Sequence, residues 1–194
     1  MLFRSLAAVG TSFPVLFLML SLIMGIAMGS TVLISQFFGK KDMANLSKVV
    51  DTSYVFIFGA GILVTGSGIL ATPFILRALA VPPEIFQPAA DYLRIIFAGM
   101  ITTFGYNGIS AMLRGLGDSK TPLTLLAAST IINIALDLLF VIAFGWGVKG
   151  AAWATVIAQA VSFLGGLYLL DKRNQILRFR FNRLKWDRDR KSVV

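Results

Sequence analysis

Thr130-Ile131-Ile132-Asn133-Ile134-Ala135-Leu136-Asp137-Leu138-Leu139-Phe140 holds a single carboxylate inside an apolar run too long for a soluble strand. On a helix, Asn133 and Asp137 lie on one face, one turn apart. A charge placed there is costly in a membrane, so an acid inside a membrane span marks a functional site by default. The competing reading is a polar residue hydrogen-bonded between helices for assembly. Intramembrane acids mark ion pathways more often, which favours function.

The same absence of charge extends along the chain. Residues 5–39, 52–76, 95–113 and 150–170 carry no Asp, Glu, Lys or Arg, and residues 121–148 carry only Asp137. Composition agrees: 57% of the 194 residues are hydrophobic and 14% charged, whereas a soluble domain has about 25% charged residues. A membrane helix needs about 20 apolar residues. The pattern predicts an all-α, polytopic membrane bundle of five transmembrane helices, at about 12–38, 49–79, 86–113, 122–144 and 151–170.

Within these spans, Ser12 reads as a cap and Pro14 as a first-turn residue. Gly25-x-x-x-Gly29 offers a close-packing face. Gly59, Gly61, Gly66 and Gly68 suit a buried second span, and Pro73 should kink or end it. Tyr92 and Arg94 sit near the start of the third span, where interfacial side chains belong. Arg114-Gly115-Leu116-Gly117-Asp118-Ser119-Lys120-Thr121-Pro122 reads as a helix stop, a turn and a helix start. It lacks the order of a phosphate-binding loop and follows a helix rather than a strand.

Alternating the ends of the spans puts Arg4, Arg77 and Lys149 on one side. The other side receives Lys40, Lys41, Lys48, Arg114, Lys120 and nine basic residues after residue 171. The positive-inside rule makes the second side cytoplasmic, with the N-terminus outside and the C-terminus inside. Residues 172–194 mix basic and aromatic residues beside a membrane, which suits anionic lipid better than nucleic acid. Cysteine and histidine are absent, so neither a disulfide framework nor a Cys/His zinc site is available. No Ser/His/Asp set or paired carboxylates appear, and an enzyme is not expected.

Depth selects partners for Asp137. It lies about seven residues from the outer end of its helix, ~10 Å deep, and Thr155 is about five residues into the next helix, ~7 Å deep. A short loop makes the two helices antiparallel neighbours. Asn133, Asp137 and Thr155 can therefore meet in the outer half of the bilayer. Carboxylate, amide and hydroxyl oxygens suit a hard cation such as Na+, and the same carboxylate can take a proton instead. Tyr106, Asn107 and Gln159 are further polar groups within the spans and candidates for a substrate cleft.

Several stretches together resemble the multidrug and toxic compound extrusion (MATE) transporters. They are SFPVLFLMLSLIMGIAMGSTVLISQFFGKKD at 12–42, PPEIFQPAADYLRIIFAGM at 82–100, SAMLRGLGDSKTPL at 110–123, and NIALDLLFVIAFGWGVKGAAWATVIAQ at 133–159. The resemblance implies one six-helix lobe of a two-lobed antiporter that exchanges Na+ or H+ for drugs or organic cations, in the plasma membrane of a bacterium. It implies that the five spans are helices two to six of the amino-terminal lobe, within residues 1–171, followed by an inter-lobe linker at 172–194. It implies a cation site at Asn133, Asp137 and Thr155, completed by an Asp from helix one. Helix one and the carboxy-terminal lobe are then expected to lie outside this sequence. A lipid-linked oligosaccharide flippase of related fold, or a non-transporting assembly fragment, are the alternatives.

Overall fold

The computed structural model describes residues 2–173, with side chains placed for 7–170. The basic stretch 174–194, expected as a lipid-facing linker, lies outside the described residues. Six α-helices follow in order: α1 Leu2–Gly39, α2 Met43–Ala78, α3 Pro83–Ala98, α4 Met100–Gly115, α5 Lys120–Asp137 and α6 Gly147–Arg173. A π-helical segment, Leu138–Ala143, continues α5.

Among the described residues, the helices α1, α2 and α6, and α5 with its π segment, are each long and apolar enough to cross a membrane. α3 and α4 are so only together, as a bent pair, which makes four spans or, with the pair counted as one broken span, five. The surface is correspondingly apolar: Met28 is 72% exposed, Leu70 82% and Phe74 76%. Such a surface suits hydrocarbon or further membrane helices rather than water. This is an integral membrane protein.

α4 is the central helix. It packs on α1, α2 and α6, while α5 is held at the periphery, mainly by α6. The core runs through Ile23 and Ile34 of α1, Val50 and Ile57 of α2, and Phe104, Ile109 and Met112 of α4. α2 approaches α3 and α4 where it lacks side chains. A Cβ on Gly68 would lie 2.1 Å from Phe97, and one on Gly61 would lie 3.3 Å from the Ile101 backbone. Gly59 and Gly66 instead face open space, as do Gly25 and Gly29. Among the described residues, no helix packs closely on the Gly25/Gly29 face.

Local departures from the sequence reading have physical causes. Ser12 does not cap α1. It is fully buried within the helix, and its hydroxyl donates to the Ala8 carbonyl at 2.9 Å. Pro14 and Pro73 both lie inside helices that continue past them. α2 begins at Met43, capped by Asp42, whose carboxylate accepts from the Asn45 backbone N–H at 3.1 Å and its Nδ2 at 2.7 Å.

The third span is not continuous. It bends by 45° between α3 and α4 at Gly99. A Cβ there would lie 2.4 Å from Val156 Cγ2, so the bend lets backbone press directly on α6. The exposed backbone groups are still satisfied, as a bilayer requires. Gly99 N–H donates to the Ile95 and Ile96 carbonyls at 3.1 Å, and its carbonyl accepts the Thr102 hydroxyl at 2.7 Å.

The turn between α4 and α5 follows its predicted chemistry. Gly117 takes φ +84°, a left-handed stop. Asp118 N–H then reaches back to the Leu113 carbonyl at 2.9 Å. The Asp118 carboxylate accepts from Thr121 N–H at 3.0 Å and Thr121 Oγ1 at 2.7 Å, which starts α5.

Candidate functional site

α5 and α6 are antiparallel, and two serines set their register. Ser129 Oγ donates to the Ala158 carbonyl and Ser162 Oγ to the Leu125 carbonyl, each at 3.1 Å and each buried. One turn further along, the same face brings Asn133 to Thr155, with Nδ2 3.5 Å from Oγ1. That is the outer limit of a hydrogen bond. Thr155 Oγ1 donates in turn to the Ala151 carbonyl at 3.0 Å.

The next turn carries Asp137. Continuing the register places it opposite Gly150 and Ala151, whose side chains offer no donor. Asp137 is half-buried, and its Oδ1 is buried with no hydrogen-bond partner. A buried polar atom without a partner is costly and is seldom left so without a use. The two helices thus bring Asn133 and Thr155 together and set Asp137 one turn above them. No hydrogen bond joins Asp137 to the other two.

Two surroundings of Asp137 carry no sequence signal. The first is the π segment that begins at the next residue. Phe144 N–H bonds the Leu139 carbonyl at 3.0 Å, and Trp146 N–H bonds the Phe140 carbonyl at 2.9 Å. Single π turns recur at functional positions in helices. Gly150 admits this wider turn: a Cβ there would lie 3.0 Å from Phe140 Cβ and 3.1 Å from its carbonyl oxygen. Phe140 and Trp146 stack above it, 5.1 Å between ring centres.

The second is Tyr92. The sequence places it at an interface, yet it is buried on α3 and lies within electrostatic reach of Asp137. The α3 face that carries Ala89, Tyr92, Leu93 and Ile96 is buried, and α3 packs on α6. Nearby, the middle of α3 is tied to the start of α6 by Lys149 Nζ, 3.0 Å from Asp91 Oδ2. Gln87 Nε2 donates to the other Asp91 oxygen at 3.0 Å.

The cleft candidates are placed separately. Tyr106 is buried, and its hydroxyl donates to the Pro122 carbonyl at 3.1 Å, tying α4 to the start of α5. Asn107 is half-buried, and its Nδ2 bonds the Thr103 carbonyl at 2.9 Å. Gln159 on α6 has a buried Oε1 without a partner, as has the Oγ of Ser110 on α4. None of the three cleft candidates is hydrogen-bonded to Asn133, Asp137 or Thr155. Among the described residues there is no group of three or more Asp, Glu, His or Cys arranged to hold a metal. A cation at Asp137 would therefore have one carboxylate and neutral oxygens around it.

The chain as a whole matches known proteins. The family model described as MatE matches residues 4–139. The chain is 40% identical over 179 residues to the "Probable multidrug resistance protein YoeA" of Bacillus subtilis (strain 168), covering 90% of this chain and 39% of that protein. It is 34% identical over 185 residues to the "Probable multidrug resistance protein YpnP" of the same organism, covering 95% of this chain and 41% of that protein. The chain thus spans about two fifths of the length of these relatives. Among solved structures, it superposes on a MATE protein in a bent conformation with a TM-score of 0.89 and 28% identity, over 95% of this chain and 42% of the other. With its apolar spans, its central bent helix and a family match over most of its length, the chain belongs to the MATE family, whose members are transporters and not enzymes.

Proposed function

We propose that this chain is part of a cation-coupled antiporter that exports drugs or organic cations, with Asp137, Asn133 and Thr155 as its coupling-ion site. The observation that carries the reading is the orphaned Asp137 Oδ1, buried in a membrane span one turn from the Asn133–Thr155 contact. An ion or proton taken there supplies the missing partner. Binding that differs between two arrangements of the protein then shifts their balance. The names of the relatives support drug efflux. Residues 1–171 would form most of an amino-terminal lobe and 172–194 the linker to a second lobe. The positive charge near the α1–α2 and α4–α5 loops would be cytoplasmic and the N-terminus outside.

Coupling in this scheme needs the site to be open to water on one side at a time, with the lobes rocking around it. Asn107 and Gln159 would contact substrate, and Tyr106 would fix the α4–α5 angle behind them. A flippase for lipid-linked sugars would need a basic cavity. Among the described residues the nearest intramembrane cation is Arg94, which is exposed.

The test is Asp137→Asn in the transporter that contains this chain. Efflux of a fluorescent organic cation from everted vesicles is driven in turn by a sodium gradient and by a proton gradient. Loss of both gradient-driven signals, with unchanged protein in the membrane, is the expected result. The gradient that drives the native protein identifies the ion. Unchanged efflux would overturn the assignment.

A further inference from the structure

The α1–α2 hairpin carries an open groove of about 460 Å³ that the transport reading does not use. Gly25, Gly29 and Leu33 of α1 form one wall, and Val49 and Phe56 of α2 the other, with Lys48 at its mouth. The volume falls within the usual range for a small-molecule site, about 300–1,000 Å³. Neither glycine has any neighbour that a Cβ would meet, so bare helix backbone lines the floor.

Depth identifies what fits. The membrane-crossing part of α1 has 33 residues and α2 has 36. At ~1.5 Å per residue these helices are about 50 Å long, against a hydrocarbon core of about 30 Å. Each end therefore projects by about 10 Å. Lys48 lies five residues beyond Met43, the first residue of α2, so its Cα is about 8 Å from that end, at headgroup level. Gly29 and Gly25 lie ten and fourteen residues before Gly39, about 15 and 21 Å from the same end, in acyl-chain territory. The groove starts at a cation beside the headgroups and continues as an apolar slot into the hydrocarbon.

Lys48, whose Nζ also donates to Asn45 Oδ1 at 3.2 Å, is the charged residue of the groove lining, and basic side chains outnumber acids at this end of the bundle. Lys40, Lys41, Lys48, Arg114 and Lys120 share this end of the bundle with three acids, Asp42, Asp51 and Asp118. Two of those acids are engaged as helix caps, Asp42 by Asn45 and Asp118 by Thr121. We infer that the groove between α1 and α2 holds an anionic phospholipid, its phosphate at Lys48 and one acyl chain along Gly29 and Gly25. This site is independent of the Asp137 reading and needs no transport to be tested.

The probe is dioleoyl phosphatidylglycerol against dioleoyl phosphatidylcholine, titrated into the purified full chain in detergent and counted by native mass spectrometry. A basic side chain near a lipid headgroup contributes about 1 kcal/mol, or roughly fivefold in affinity. The native chain should therefore prefer the glycerol lipid by about fivefold or more. Lys48→Ala should bring the two lipids to parity. Gly29→Leu, whose Cβ meets no neighbour and whose side chain would occupy the slot, should remove tight retention of both. Gly59→Leu, equally open but outside the groove, should retain both and controls for folding. Equal retention of the two headgroups by the native chain would overturn the proposal, as would an unaltered preference in Lys48→Ala. Conversion from dimer to monomer by Gly29→Leu would also overturn it, by showing a second copy in the groove.

Discussion

Replacing Gly99 with alanine tests how the bundle positions its site. The new Cβ would lie 2.4 Å from Val156 Cγ2, 2.8 Å from Cγ1 and 3.0 Å from Cβ. Carbon atoms pack at about 3.5–4.0 Å. Relief therefore needs α6 to retreat from the α3–α4 bend by about 1 Å, or Val156 to leave its rotamer. Overpacking of this kind costs about 1–3 kcal/mol. For a chain of this length, that lowers the melting temperature by about 2–4 °C per kcal/mol. The expected drop is therefore about 2–12 °C, read by fluorescence-detected size exclusion after heating in detergent. Val156→Ala removes both Cγ atoms, so the double variant should recover most of the loss, leaving only the 3.0 Å contact with Cβ. Gly59→Ala, in open space on α2, should be neutral or slightly stabilising. A Gly99→Ala chain that melts within 1 °C of the native protein would refute the close-approach argument. So would a double variant no more stable than Gly99→Ala alone.

Asp137→Leu should raise the melting temperature by about 2 °C or more while ending efflux, because the orphaned Oδ1 makes the folded protein less stable than it need be. A fall in stability would favour the assembly role for this acid. Ser129→Ala and Ser162→Ala each remove one interhelical hydrogen bond, worth about 0.6 kcal/mol on average in membranes. The pair should lower thermal stability more than either alone and increase efflux sensitivity to heating. Asp42 is held below its ordinary carboxylate value first by the Asn45 backbone N–H and then by the Asn45 side chain. Its stabilising effect is therefore complete above the unfolded value, 3.8, and is lost as pH falls through the lower folded value. The melting temperature of Asp42→Ala should accordingly fall less than that of the native chain on acidification below pH 4, as scanning fluorimetry would show. Lys149→Ala breaks a pair whose lysine is 60% exposed. It should move the melting temperature by about 4 °C at most, and by less at high salt.

The membrane class was legible because charge is absent over whole spans, and no local detail can offset that. The Asn133–Thr155 contact was legible because one turn of α5 and a short hairpin leave few ways to pair equal depths. The break at Gly99 was not. One glycine in an apolar run looks like any other membrane glycine, and what distinguishes it is Val156, 57 residues further along the chain. Tyr92 was misplaced because an aromatic beside an arginine near a span's end normally marks an interface. Its burial follows from the bend, which turns α3 onto α6. The π segment left no trace either, since Leu-Leu-Phe-Val-Ile-Ala is an ordinary helical sequence. The clasp by Ser129 and Ser162 was hidden because each hydroxyl bonds a main-chain carbonyl, which any residue presents.

The π segment also puts α5 out of phase with itself. A single wide turn accommodates one residue more than an α-helix would, and one residue is about 100° of rotation and ~1.5 Å of rise. The α-helical part of α5 is keyed to α6 by two serines, and the π segment by Phe140 against Gly150. A uniform α-helix could satisfy only one of these two keys. Asp137 is the last residue of the α-helical part, with φ −60° and ψ −47°, so that part sets its direction. Deleting a single residue from 138–143 would leave the serine key intact and swing the aromatic cap away from Gly150. The acid is thus aimed by the serine key, while the aromatic pair above it depends on the π turn.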